Sequence, residues 1–364
     1  MTLAFKPRAA DPAIASYRYR VLAPIAFLTA RGWDVELYDE ARVDRYEAVV
    51  FSKAYNAENR ALATRLKRAG KRVLLDLCDD HFYNPHDLPQ YEKARTNLLA
   101  MIALADQVVC STPVLAQAVQ RAAGLEHLPA VAPDVFEPSA LRAGAPTPMD
   151  QPARLLWFGR HASPNAQAGM ADLLLIAHHL AAAQALRPLE LVVCSDSREA
   201  YESLLKGYPV PTRYVDWSPE SFAAELAGAD AVVIPLSDNP FVAAKTHNRL
   251  SLALSSGAPV VADSIDSYRD LGPFCWLDDW AGGLEAVLMR PQEAHARAAT
   301  ALPYLHAHWS AEAVAPLWEA ALGLGAGEAA ARPLDPISAW LAGEGRAERA
   351  WRVAGAGADA PESG

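Results

Sequence analysis

The chain has 364 residues, of which 52% are hydrophobic, enough for two buried cores at about 150 residues per domain. Its formal net charge of −10 excludes a broad electrostatic footprint for nucleic acid, so any anion site must be a local basic cluster. The four cysteines, Cys78, Cys110, Cys194 and Cys275, form no CxxC pair and have no metal-ligand spacing, which predicts reduced core residues. No run reaches the length of a membrane span and "MTLAFKPRAADP" lacks a signal-type apolar core, so a cytoplasmic protein is expected.

Short β-rich runs alternate with Ala/Leu-rich helical ones, the pattern of an α/β protein with parallel sheets. In the first 137 residues the predicted strands are "TLAFK", "DVELYD", "EAVVFSK", "KRVLLDLC" and "DQVVCST". Helices such as "RVLAPIAFLTARG" and "ENRALATRLKRAG" lie between them, each closed by a glycine. Within "ASYRYR", Ser16, Arg18 and Arg20 fall at the start of the first helix; Arg18 and Arg20 do not share one face, so at least one is structural. "RLKRAGKR" reads first as a solvated face, with peripheral attachment to acidic lipid as its second use.

"KRVLLDLCDDHFYNP" carries Asp79, Asp80 and His81 beyond the carboxyl end of a strand. A carboxylate or imidazole there could orient or deprotonate a hydroxyl, and Asp80 and His81 are the candidates; equally, the carboxylate could cap the next turn. The D-x-x-D-D spacing also admits a divalent cation.

Residues 138–153 break the alternation with prolines and are expected to link two domains. A second α/β run over 154–305 contains "ARLLWFGR", "LELVVCSDS", "TRYVDWS", "DAVVIPL", "GAPVVAD" and "FCWLDD". Gly159 permits close backbone approach at the first strand end, beside the fixed charge of Arg160. After "DAVVIPL", a loop "SDNPFVAA" leads to a predicted helix "KTHNRLSLALSSG", placing Lys245, Asn248 and Arg249 around a helix N-terminus suited to a diphosphate. Residues 306–324 predict an apolar helix that could pack on either domain, and 325–364 a largely mobile tail with a docking helix marked by Trp340 and Trp351.

The segments "RLLWFGR", "YVDWSPESFAAELAGADAVVIPL" and "KTHNRLSLALSSGAPVVAD" resemble the nucleotide-sugar glycosyltransferases of the GT-B fold, in particular the retaining family known as family 4 or group 1. The resemblance implies two Rossmann-like domains facing a central cleft. A nucleotide-diphosphate sugar would sit on the second and a glycan, lipid or protein acceptor on the first, with no cofactor and no obligatory metal. It implies donor-diphosphate contacts at Gly159, Arg160 and Lys245, with Asn248 and Arg249 sharing the binding. Trp217 falls at the nucleotide base, and Ser16 and Arg18 face the cleft.

The family's paired glutamates are replaced here by Ala244 and Leu252, and a lysine of its phosphate clamp by Asn165. This departure keeps two other readings open: a degenerate nucleotide-sugar-binding subunit, and a sugar-nucleotide epimerase or hydrolase. Neither half carries the G-x-G-x-x-G turn of dinucleotide enzymes.

Overall fold

The computed structural model describes residues 1–136, 143–163 and 166–325. The first domain is built on a parallel sheet of β1 (Thr2–Pro7), β2 (Asp34–Leu37), β3 (Ala48–Ser52), β4 (Arg72–Leu77), β5 (Gln107–Cys110) and β6 (Ala130–Val131), in the order β2-β1-β3-β4-β5-β6. The second sheet holds β7 (Ala153–Phe158), β10 (Leu189–Ser195), β11 (Thr212–Asp216), β12 (Ala231–Ile234), β13 (Val260–Ala262) and β14 (Trp276–Leu277), in the order β11-β10-β7-β12-β13-β14 and parallel throughout. Its order is the doubly wound one, reversing between β7 and β12; the first sheet reverses between β1 and β3. In such sheets ligands collect beyond the strand carboxyl ends at the reversal. A two-stranded hairpin, β8 (Ala162–Ser163) and β9 (Ala166–Gly169), follows β7.

Central strands are buried on both faces, which is why they read as continuous apolar runs rather than alternating ones: every residue of β3 and β12 is buried. The flanking helices start where side chains can satisfy free N–H groups. Asn56 accepts from Asn59 N ahead of the helix Ala57–Arg68, and Thr112 accepts from Leu115 N ahead of Pro113–Ala123, which ends at left-handed Gly124. All four cysteines are free thiols, three of them buried.

Three segments depart from the expected outlines. The first helix is interrupted: Ala15–Tyr17 and Ala23–Ala30 flank a π-helical stretch, Arg18–Leu22. Pro24 has no N–H to offer the carbonyl of Arg20, so the ladder widens there. The helix predicted from Lys245 starts only at Asn248 and runs to Ser255, while the predicted loop before it holds a short helix, Pro240–Ala243, so Lys245 lies in the turn between the two.

The apolar C-terminal stretch is also two helices, Ala301–Trp309 and Ala311–Ala321, divided at the N-cap Ser310. The second packs on the first domain. Trp318 is fully buried near Phe5 and Phe27 and donates to the Pro133 carbonyl at 3.0 Å, while Glu319 accepts from Arg31 and Trp33. Of the expected linker, residues 138–142 lie outside the described chain. The rest is laid against the second domain: Gly144 N donates to the Ala227 carbonyl, Thr147 N to Asp230, and Arg187 gathers the carbonyls of Thr147, Pro148 and Gln151. Asn165, Trp340 and Trp351 also lie outside the described residues.

Candidate active site

The carboxyl ends of the two sheets meet. Lys245 of the second domain donates to Asp79 Oδ1 beyond β4, and Lys53, just past β3, donates to Asp79 Oδ2. Burial alone would raise the Asp79 pKa, but Lys245 and Lys53 hold it well below the usual carboxylate range. The Lys245 ammonium stands 4.0 Å over the Phe241 ring and its side chain keeps 36% of its exposure. Two further contacts join the domains beside it: Thr112 Oγ1 donates to the Ala244 carbonyl at 3.0 Å, and Asn248 Nδ2 to Asp134 Oδ2 at 2.6 Å.

The three residues Asp79, Asp80 and His81 face different partners. Asp80 is 5% exposed, and its Oδ1 accepts from Phe82 N at 3.0 Å, shaping the loop; burial raises its pKa. His81 Nδ1 is bonded to the Tyr55 hydroxyl and Nε2 lies 3.9 Å from Asp79 Oδ2. Burial pushes the imidazole down to about 4 against the pull of Asp79, so it is neutral at pH 7. The third carboxylate of the D-x-x-D-D run, Asp76, takes Arg20 and Ser52. The carboxylates therefore point to three separate partner sets rather than converging on one cation. Among the described residues no group of three or more metal-capable side chains is assembled.

Asn248 and Arg249 form the inner wall. The second oxygen of Asp134 accepts from Arg20, so Asn248 ties the second domain to a fully buried guanidinium, which also bonds the Ala132 carbonyl and lies 4.4 Å from the Trp318 ring. Asn248 Oδ1 is buried without a partner. Arg249 Nη2 donates to the Phe158 carbonyl at 2.6 Å and its guanidinium lies over Trp157 and Phe158; burial lowers its pKa. Gly159 rests on this packing: a Cβ there would come 3.3 Å from both Arg249 Nη2 and the Trp157 ring.

The remaining candidates are spread around this centre. Arg160 is 81% exposed and donates from Nε to Asp196 Oδ2 at 3.2 Å, beyond the end of β10. Trp217, past β11, is half-buried against the second core, with its backbone N–H on the Ser195 carbonyl. Arg18 folds back onto the carbonyls of Pro12 and Ala13, and Ser16 is half-buried in the helical turn before it. The basic run is largely engaged: Arg65 pairs with Glu40, Lys67 with Asp106, Lys71 donates to the carbonyls of Asp44 and Tyr46, and Arg72 to that of Leu322.

No family model and no curated protein matches the chain. Among solved structures it is similar to Anabaena HepE in complex with UDP and glucose, at 15% identity over 89% of this chain and 100% of that one, with a TM-score of 0.61. It is similar to the lipopolysaccharide outer core galactosyltransferase WaaB at 13% identity, over 89% and 99% of the two chains, with a TM-score of 0.58. The UDP-forming α,α-trehalose-phosphate synthase from Burkholderia vietnamiensis gives 12% identity over 85% and 86%, and 0.52. The chain has the GT-B fold.

In GT-B terms, the contact of Lys245 with Asp79 spans the cleft between the domains, and the final helix returns to the first domain. Ala244, where the resemblance puts the first glutamate, is 1% exposed and joins the apolar core of the first domain. Leu252 packs on the second core. Lys53 and Asp79 were not among the sequence candidates. The signal was present: both follow strand carboxyl ends, the criterion that picked out Asp80 and His81. Among the described residues no helix is long and apolar enough to cross a membrane.

Proposed function

We propose that this GT-B chain is a glycosyltransferase that moves a sugar from a nucleotide-diphosphate donor to an acceptor held by the first domain. One observation carries the reading: Lys245, a partly open ammonium, stands where the carboxyl ends of two parallel sheets face each other. HepE, of the same fold, was solved with UDP-glucose. In this reading the donor's diphosphate lies between Lys245 and the Gly159–Arg160 turn, with the base towards Trp217. Arg160 is free to swing because its pair with Asp196 is at the surface.

Catalysis is electrostatic. As the glycosidic bond breaks, charge grows on the leaving diphosphate, and a preorganised cation there typically contributes about 100- to 1,000-fold in rate. Neutral His81, steadied by Tyr55, orients the acceptor hydroxyl by hydrogen bonding; Asp80 holds the loop that presents it. We further propose retention of anomeric configuration and independence of added metal. Turnover unchanged in chelator is the expected result for the last point, and loss of turnover that magnesium or manganese restores would overturn it.

The first test is calorimetric titration with nucleoside diphosphates and their sugars, comparing wild type with Lys245→Ala. Selective binding that the substitution weakens is expected. A folded wild type that binds none of them would sink the donor-site assignment. The burial of Ala244 supports a second reading, a nucleotide-sugar-binding subunit without turnover, because no carboxylate stands there to grip the sugar. Donor binding with neither transfer nor hydrolysis across an acceptor panel would favour it.

A further inference from the structure

We propose that Asp79 competes with the donor's phosphate for Lys245, so that this carboxylate sets donor affinity. The inference rests on the assignment of Lys245 as a diphosphate ligand. An anion reaching the Lys245 ammonium meets Asp79 either as a rival for the same N–H donors or as a like charge beside it, and in both cases the carboxylate opposes binding.

Lys53 makes the exchange workable. It holds the other oxygen of Asp79, so the carboxylate keeps a partner when Lys245 turns to a phosphate; a half-buried carboxylate left with none would be costly. The backbone at Lys53 is built for this task. Its φ is +53°, a conformation uncommon for a residue with a side chain, and its N–H is fixed on the Asp76 carbonyl at 2.9 Å. Phe241 supports the Lys245 ammonium from another side, so the cation keeps a seat whichever anion it holds. The three charged groups sum to one positive charge, which suits a polyanion better than the single carboxylate already present.

The experiment is calorimetry on the full chain with UDP, GDP, ADP, CDP and dTDP, followed by the best-bound nucleotide on variants whose folding is verified by thermal unfolding. Asp79→Asn, nearly isosteric, is expected to tighten binding about tenfold, within the usual range of coupling between sites. Lys53→Asn, chosen because Asn tolerates the left-handed backbone, is expected to weaken binding, and to do so far less when Asp79→Asn is also present. Affinity unchanged or lowered by Asp79→Asn, while Lys245→Ala still weakens it, overturns the competition and leaves the donor site standing. An unchanged affinity in Lys245→Ala, or no nucleotide bound by the folded wild type, removes both.

Discussion

Asp79 and Asp80 are adjacent carboxylates with opposite surroundings, one between two lysines across the cleft and the other closed over a backbone N–H. Both lie in the loop past β4, where the alternation of a strand no longer fixes side-chain direction, so the "DD" pair does not by itself tell which carboxylate faces the cleft. Which one depends on where Lys245 arrives, and that contact joins residues 166 positions apart. Asp80→Ala is expected to destabilise the fold by about 1–2 kcal/mol in urea unfolding, because it strands the partly buried N–H of Phe82, whereas Asp80→Asn keeps an acceptor and costs less. Histidine sets the pH response. His247, 4% exposed and stacked 3.9 Å from Trp309, has its imidazole pushed by burial from 6.5 to about 4, against Asp134. The folded form thus resists a proton that the unfolded chain accepts, so its contribution is whole above pH 6.5 and is lost as pH falls towards 4. The slope of unfolding free energy against pH between these values is expected to be shallower in His247→Gln, by up to about 1.4 kcal/mol per pH unit.

At the scale of elements, strands were the most legible because burial on both faces writes them as unbroken apolar runs. Helix boundaries were less so. The widened turn at Arg18–Leu22 could have been anticipated from Pro24, but its partners Asp76 and Asp134 come from distant segments. The segment from Lys245 to Asn248 is similar: apolar spacing gives the helix, yet Lys245 and Asn248 are aimed by Asp79 and Asp134 of the other domain. The division at Ser310 is a plain N-cap signal, with its side chain accepting from Ala313 N. That the helix after it belongs to the first domain is a matter of packing. Trp318→Ala, which empties a fully buried site against Phe5 and Phe27, is expected to cost about 3–5 kcal/mol and to lower the unfolding midpoint of the first domain before that of the second.

For the whole molecule, the alternation of strand and helix revealed two α/β domains, but not the way they face each other. Among the described residues, cross-cleft hydrogen bonds carry that information: Lys245 with Asp79, Thr112 with the Ala244 carbonyl, and Asn248 with Asp134. Weakening two of them in an Asp79→Asn, Asn248→Ala chain is expected to raise the radius of gyration in small-angle scattering, with nucleotide lowering it again. An unchanged radius would mean that the apolar packing around Ala244 and Tyr83 holds the domains alone. The return of the final helix also matters during synthesis. Residues 311–324 complete the core around β1, so the apolar face of the domain made first stays partly uncovered until this stretch has left the ribosome. The second domain, though translated later, has its whole core out sooner, since the buried residues of that core end at Leu305; the usual order, in which the N-terminal domain folds first, is therefore expected to be turned around.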